Sequence, residues 1–174
     1  ELLEKCYAQR QPKEIQPMPI GDLKGKTVLI TGAAGFIGAN LAKCLLERNQ
    51  DITVIGLDNV NDYYEVALKE ARLTELSKYT MFTFIKGNIA DKAFMESVFA
   101  KYKPQIVVNL AAQAGVRYSI TNPDAYIEAN IMGFYNVLEC CRHNPVEHLV
   151  YASSSSVYGM NKKIPYSTED KVDL

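Results

Sequence analysis

Histidine and cysteine are scarce in this 174-residue chain, and tryptophan is absent. Its two histidines and four cysteines lack the spacing of metal ligands, which disfavours a metal centre, a disulfide scaffold and a histidine-based nucleophilic site. Such sparse cysteines fit a reducing cytoplasm. We expect at least Cys44 and Cys141 to be small buried apolar side chains.

Long apolar runs and an excess of charge of one sign are also missing. No run approaches the roughly 18 residues that a membrane-spanning helix needs. A net charge of −1, with no block of like charges, argues against nucleic acid or an anionic membrane as a partner. The 48% of apolar residues is typical of a globular domain with a sizeable core.

The most informative stretch is residues 31–38, T-G-A-A-G-F-I-G, which follow a β-branched apolar run and precede a helical pattern. In such a strand-to-helix turn, Gly32 takes a positive φ, Gly35 lets a ligand approach the backbone, and Gly38 lets the helix pack closely on the strand. The N–H groups of the first helical turn favour a phosphate. A plain tight turn is the alternative, and the sequence around the turn favours a dinucleotide site over it.

A carboxylate stands where a dinucleotide site needs one. Asp58 ends the second apolar run, 58 − 38 = 20 residues after Gly38. There it can accept hydrogen bonds from the adenosine ribose of NAD and repel the 2′-phosphate of NADP. The alternative is an ordinary turn aspartate beside Asn59.

Apolar runs and helical patterns alternate from residue 26 to residue 152. Strands are predicted over 26–30, 52–57, 81–85, 105–110 and 148–152. The last helix, over about 122–141, carries an apolar stripe made of Ile127, Ile131, Phe134, Leu138 and Cys141. This alternation predicts an α/β fold with a doubly wound parallel sheet (Rossmann) in three α/β/α layers, with strand order 3-2-1-4-5. Residues 1–22 are predicted to be an N-terminal extension, and residues 23–174 the NAD-binding domain.

Small and polar residues follow the third and fourth predicted strands. Asn88 can serve an adenine edge or simply a turn. Ala111 and Ala112 suit a cofactor lying close to the backbone, although they also suit a helix start. Asn130 either braces the strand ends or faces solvent. Arg117 either grips an anionic substrate or is a surface arginine.

Four consecutive serines, residues 153–156, follow the fifth predicted strand. Their hydroxyls can donate to and accept from a sugar hydroxyl that changes oxidation state. The alternative is that these serines form a polar linker. Their position at the end of a predicted strand favours a role in the active site over that alternative.

Several motifs in this order resemble one family. The glycine motif is followed by L-D-N at 57–59, G-N-I at 87–89, L-A-A at 110–112 and S-S-V-Y-G ending at Gly159. Over residues 26–174 the chain resembles the extended short-chain dehydrogenase/reductases, the NAD-dependent sugar-nucleotide epimerases and dehydratases. The longer strings at 57–64 and 111–119 are similar to the UDP-glucuronate 4-epimerases of that family.

The resemblance implies NAD as cofactor, a UDP-sugar as partner, and a smaller substrate domain that these 174 residues do not contain. It is compatible with a homodimer of the full-length protein. It also implies Ser154 as the catalytic residue. Arg117, Ser155 and Ser156 are the predicted substrate-binding residues. The implied cofactor-binding residues are Gly32, Gly35, Phe36, Ile37, Gly38, Asp58, Asn59, Asn88, Ile89, Leu110, Ala111, Ala112, Asn130 and Ser153.

The implied reaction converts UDP-glucuronate to UDP-galacturonate through transient oxidation at C4. Dehydration is disfavoured, because Ser155 and Ser156 stand where the dehydratases carry an acid pair. A UDP-uronate decarboxylase, a UDP-glucose 4-epimerase and a non-catalytic NAD-binding module are the alternatives. The family's Tyr-x-x-x-Lys pair does not occur between Gly159 and Leu174, so we expect this chain alone to be inactive.

Overall fold

The protein was analysed as a computed structural model that describes residues 23–48 and 51–172. The predicted extension, residues 1–22, lies outside the described residues. Strands and helices alternate along the described chain, as the sequence predicts. The strands are β1 (Lys26–Thr31), β2 (Ile52–Asp58), β3 (Phe82–Lys86), β4 (Ile106–Asn109) and β5 (His148–Tyr151). The helices are α1 (Phe36–Arg48), α2 (Val66–Leu76), α3 (Lys92–Tyr102), α4 (Tyr118–Thr121), α5 (Pro123–Tyr126) and α6 (Phe134–His143), with a π-helical segment at Ile127–Gly133 and a 3₁₀ turn at Ser155–Tyr158.

The five strands form one parallel sheet in the order β3-β2-β1-β4-β5, which confirms the predicted order. In register, Thr31 at the end of β1 lies opposite Leu57 on β2 and Asn109 on β4. Asn109 in turn lies opposite Tyr151 on β5. The carboxyl ends of the strands therefore meet at one edge, and the strand order reverses between β1 and β4, where α/β sheets bind their ligands.

Each face of the sheet has its own apolar core, because successive strand residues point to opposite faces. Val28 and Ile30 face the layer formed with α1, where Ala42 is fully buried. Leu29 faces the other layer, with Phe99 of α3. Burial of each large apolar side chain contributes about 1.5–3 kcal/mol, so the two cores hold the helices on both faces. The predicted three-layer arrangement is confirmed.

The helix that follows β4 differs from its prediction. It contains a π-helical segment, Ile127–Gly133, which holds more residues per turn than an α-helix and so rotates the face of the residues that follow. Val137 and Cys140 are buried in the core, whereas Leu138 is 40% exposed. Ile127 and Ile131 of the predicted stripe are likewise exposed, whereas its members Phe134 and Cys141 are half-buried.

The burial of the cysteines also differs from the prediction. Cys140, and not the predicted Cys141 or Cys44, is the buried member of the three described cysteines, while the other two are partly exposed. Desolvation raises the pKa values of Cys140 and Cys141 to about 11, so both stay protonated thiols near neutral pH.

Candidate cofactor-binding site

A cavity of about 320 Å³ lies at the carboxyl edge of the sheet, above the glycine turn. Its walls come from the segments that follow β1, β2, β3 and β4, so it occupies the position expected of a dinucleotide site. Nine of the predicted cofactor-binding residues line it, namely Gly32, Gly35, Asp58, Asn59, Asn88, Ile89, Leu110, Ala111 and Ala112.

The glycine turn is built as the sequence predicts. Gly32 has a φ of 71°, which favours glycine, and a Cβ on it would lie 2.8 Å from the backbone nitrogen of Ala111. The N–H of Gly35 donates to the carbonyl of Gly32 at 3.0 Å, which closes the turn before α1 begins. The turn thus lies against Leu110 and Ala111 after β4. The first N–H groups of a helix such as α1 have no partners within the helix, so they suit an anion.

Asp58 fixes this turn as well as lining the cavity. Its side chain is 8% exposed. Oδ2 accepts from the N–H of Ala34 at 3.0 Å, and Oδ1 accepts from the N–H of Val60 at 2.8 Å. A carboxylate oxygen accepts more than one hydrogen bond, so both oxygens retain capacity for ribose hydroxyls. Val60 itself has a φ of 52°, an uncommon conformation for a β-branched residue, at the point where the loop turns over the cavity.

Two residues that the sequence did not single out tie β1 to β4. The hydroxyl of Thr31, which is fully buried, donates to Oδ1 of Asn109 at 2.6 Å. It also accepts from the N–H of Ala111 at 3.1 Å. This buried contact holds the two strand ends together beneath the cavity. A polar residue at the end of each apolar run was the only signal for it in the sequence.

Lys69 of α2 is a second feature that sequence reasoning missed. It is only 4% exposed, and its Nζ donates to the backbone oxygen and Oδ1 of Asn61 at 2.8 and 2.6 Å. Desolvation lowers the pKa of Lys69, while nearby Asp58 opposes that shift. Lys69 lines the cavity and holds the loop after β2 in place. Because lysines are usually exposed, nothing in the sequence marked it.

Asn88 lies where adenine binding was predicted, and its amide is oriented by protein contacts. Oδ1 accepts from the N–H of Ala90 at 2.9 Å, and Nδ2 donates to Glu128 at 2.6 Å. One amide hydrogen and one lone pair remain for a base edge. Buried Asn136 supports this segment by donating to the carbonyls of Ile89 and Ala90.

Asn130 braces a strand end, which was one of its two predicted roles. Its Oδ1 accepts from the N–H of Gln113 at 2.8 Å, and its Nδ2 donates to the carbonyl of the same residue at 3.0 Å. This pair of bonds fixes the segment after β4. Asn130 therefore shapes the cavity wall through Gln113, and its direct contact with a cofactor stays a prediction.

The other predicted residues lie around the cavity rather than in its walls. Phe36 and Ile37, on the first turn of α1, are 72% and 66% exposed, and Gly38 packs behind the glycine turn. Arg117 is exposed just before α4.

The four serines follow β5 and are exposed. Oγ of Ser154 lies 3.1 Å from Oγ of Ser156, and the Ser154 side chain caps the 3₁₀ turn. The predicted roles of Ser153, Ser154, Ser155 and Ser156 stay predictions.

Tyr158 and Lys162, a pair that begins just before Gly159, have the Tyr-x-x-x-Lys spacing. In a catalytic pair, four-residue spacing places both side chains on one face of a helix. Here Tyr158 ends the 3₁₀ turn and stacks on Tyr166, with ring centroids 4.5 Å apart. The residues that follow are not helical, so the spacing does not bring Lys162 over Tyr158.

Neither membrane-spanning helices nor metal sites occur in the described parts of the chain. Among residues 23–48 and 51–172, no helix has the length and apolar character needed to cross a bilayer. The same residues contain no group of three or more His, Cys, Asp or Glu side chains placed to hold a metal ion.

The doubly wound sheet, the glycine turn and the carboxylate at the end of β2 together define a Rossmann dinucleotide-binding domain. Residues 28–173 match the NAD-dependent epimerase/dehydratase family, and the chain belongs to that family. The resemblance that the motifs indicate is thereby confirmed, and NAD, the predicted cofactor, is the cofactor on which the family depends.

Several relatives of this chain are named as epimerases. UDP-glucuronate 4-epimerase 3 from Arabidopsis thaliana is 46% identical over 151 residues, which cover 86% of this chain and 34% of the relative. The crystal structure of UDP-glucuronic acid 4-epimerase from Bacillus cereus, in complex with UDP-glucuronic acid and NAD, is 32% identical with a TM-score of 0.75. That match covers 85% of this chain and 46% of the solved one.

A neutral-sugar enzyme is similar in structure as well. UDP-glucose 4-epimerase from Bifidobacterium longum, in complex with NAD+ and UDP, is 31% identical with a TM-score of 0.68, over 84% of this chain and 42% of that one. This chain therefore spans less than half the length of the relatives described here. The family is common to both groups, and the choice of sugar is a separate question.

Proposed function

We propose that this chain is the NAD-binding part of an epimerase that converts UDP-glucuronate to UDP-galacturonate. The observation that carries the proposal is the cavity above the glycine turn, with Asp58 at the ribose side and the serines after β5 at the other end of the sheet edge. Two sequence segments around the cavity, residues 57–64 and 111–119, resemble the UDP-glucuronate 4-epimerases. This resemblance supports a uronate as the substrate.

The residues of this chain divide the work of binding NAD. Asp58 accepts hydrogen bonds from the ribose hydroxyls, and the N–H groups at the start of α1 donate to the pyrophosphate. Asn88 forms hydrogen bonds with the adenine edge. The small side chains of Ala111 and Ala112 leave room for the dinucleotide beside the backbone. NAD held by these residues would supply reversible hydride transfer at C4 of the sugar.

Ser154 is proposed to act on the sugar. Its hydroxyl can donate a hydrogen bond to the C4 oxygen while charge develops there, which stabilises the transition state. In the free protein the Ser154 hydroxyl donates to Oγ of Ser156 at 3.1 Å, so it has to rotate toward the C4 oxygen when the sugar binds. Ser155, Ser156 and Arg117 are proposed to bind the substrate, with Arg117 pairing with an anionic group.

A uronate substrate should be preferred over a neutral one. In a version of the protein that turns over substrate, kcat/KM for UDP-glucuronate should exceed that for UDP-glucose by at least about 10-fold, since a site built for a carboxylate loses charge-assisted hydrogen bonds with a hydroxymethyl group. Steady-state kinetics with both sugars measure this. Equal kcat/KM values would contradict the uronate assignment and favour the neutral-sugar alternative. Loss of carbon dioxide from the substrate would instead identify a decarboxylase.

In the same active version, Ser154→Ala should lower kcat by roughly 10²-fold, as for the loss of one donor to a developing oxyanion. Ser97→Ala is the matched control, because Ser97 lies on α3 and donates only to the carbonyl of Phe94. An unchanged kcat in Ser154→Ala would remove Ser154 from the mechanism. An Arg117→Ala variant with wild-type kcat and KM would show that Arg117 is a surface residue.

NAD should bind at least roughly 10-fold more tightly than NADP, because the buried Asp58 carboxylate repels a 2′-phosphate. Asp58→Asn should weaken NAD binding and reduce this preference, since both carboxylate oxygens accept backbone N–H groups and an amide offers only one acceptor. Calorimetric titration of both cofactors measures the ratio. Asp62→Asn, an exposed charge change in the same loop, should keep it. Equal or tighter NADP binding by the unaltered chain would refute the prediction.

A further inference from the structure

The loops that follow β2 and β4 meet above the cavity. Tyr63, in the loop after β2, has its ring centroid 5.0 Å from that of Tyr118. Its hydroxyl lies against Gly115, where a Cβ would overlap that oxygen. Gly115 has a φ of 94°, a conformation that favours glycine. We call this contact of Tyr63 with Gly115 and Tyr118 the aromatic bridge.

The aromatic bridge crosses the path of a bound dinucleotide. Because β1 lies between β2 and β4 in the sheet, a contact between the loops after β2 and β4 passes over the end of β1. That end carries the glycine turn, where a dinucleotide places its pyrophosphate. Gly32 and Tyr63 both line the cavity, so the space for the cofactor lies between the turn and the bridge.

The loop after β2 is held firmly in the position from which Tyr63 reaches across. Nζ of Lys69 binds both oxygens of Asn61, and a guanidinium nitrogen of Arg72 donates to the hydroxyl of Tyr64 at 3.0 Å. The same nitrogen donates to the carbonyl of Ala34 in the glycine turn at 3.2 Å. Helix α2 therefore ties this loop to the turn.

The other side of the bridge is held as well. The hydroxyl of Tyr118 accepts from Nδ2 of Asn122 at 2.8 Å. The hydroxyl of Tyr126 contacts the carbonyl oxygens of Ala114, at 3.0 Å, and of Gly115. Partial desolvation and the neighbouring tyrosines raise the pKa of Tyr126, which keeps its phenol protonated as a donor.

We infer that Tyr63 closes the aromatic bridge over NAD and controls how fast NAD exchanges with solvent. The inference rests on the proposed function, in which each catalytic cycle regenerates NAD and the cofactor has no need to leave. Binding and release both require the loops to separate, so the bridge acts on both rates. The affinity, which is the ratio of the two rate constants, changes less than either one.

The test is stopped-flow measurement of NADH binding and release by this chain and its variants. In Tyr63→Ala, the association and dissociation rate constants should both rise by roughly 3- to 10-fold, the size expected for loss of one aromatic contact. Tyr63→Phe keeps the ring and should stay within about 2-fold of the unaltered chain. Tyr135→Ala removes an exposed tyrosine of α6 outside the cavity and is the control.

Tyr118→Ala opens the bridge from its other side and should repeat the result, which separates an effect on exchange from local damage at Tyr63. Exchange at the unaltered rate in both alanine variants would overturn the inference, while NAD affinity and the proposed function would stand. Faster release alone, with affinity falling in proportion, would also overturn it, because that result describes a simple contact with bound NAD. An unaltered chain that binds no NADH would overturn the proposed function and the inference together.

Discussion

The 174-residue chain should bind NAD and leave UDP-glucuronate unchanged. Its described residues supply the glycine turn, Asp58 and Asn88, which hold the adenosine and pyrophosphate half of the cofactor. Tyr158 and Lys162 do not form a helical acid-base pair beside Ser154. Since a positioned base typically contributes about 10²–10⁴-fold, and substrate positioning adds to that, turnover should fall below detection.

Two measurements on one sample check this result: calorimetric titration with NAD, and an assay for UDP-galacturonate after long incubation. Formation of UDP-galacturonate would show that a base lies within residues 1–174, and Tyr151, Tyr158 and Tyr166 would be the first residues to replace. A longer protein that binds NAD equally well and still produces no epimer would favour the alternative of a non-catalytic module.

Gly38→Ala should disrupt cofactor binding strongly. A Cβ at this position would overlap the carbonyl oxygen of Gly32 and lie 2.9 Å from its carbonyl carbon and 3.0 Å from Cα of Ala33. These are backbone atoms, so the turn itself must move away from α1. Overpacking of this kind costs about 1–3 kcal/mol, and we expect NAD affinity to fall by roughly 10- to 100-fold.

Gly25→Ala is the matched control for this variant. Gly25 has a φ of 70° and open space around its Cα, so alanine there strains the backbone at a distance from the cavity. It should lower the melting temperature while NAD affinity stays unchanged. Parallel thermal unfolding and NAD titration of both variants distinguish the two effects. Unchanged NAD affinity in folded Gly38→Ala would show that close packing of α1 on the turn does not govern the site.

The strand order and the core of the cofactor site were predictable from sequence because local patterns determine them. The glycine spacing, the run that ends on Asp58 and the β-α alternation each follow from backbone geometry and burial. The order β3-β2-β1-β4-β5 then follows from right-handed crossovers and the known placement of such a turn.

The parts that were missed depend on contacts distant in sequence or on irregular geometry. A pattern of period 3.6 cannot reveal that Ile127–Gly133 is π-helical, and so the predicted apolar stripe contained Leu138, which is exposed, instead of Val137, which is buried. Lys69 is buried because Asn61 and Tyr64 fold over it, and no propensity indicates such burial. The contact of Tyr63 with Tyr118 likewise forms only when the fold brings the loops after β2 and β4 together.

The π-helical segment also makes the site sensitive to changes in chain length. Glu128 and Asn130, within the segment, contact Asn88 and Gln113 on two different cavity walls, while Asn136 beyond it supports the segment after β3. Deleting one residue between 131 and 133 would turn the later part of the helix by about 100° relative to the earlier part. Asn136 would then leave its carbonyl partners while Glu128 and Asn130 kept theirs. This short helix stretch should accordingly tolerate substitutions far better than insertions or deletions during evolution.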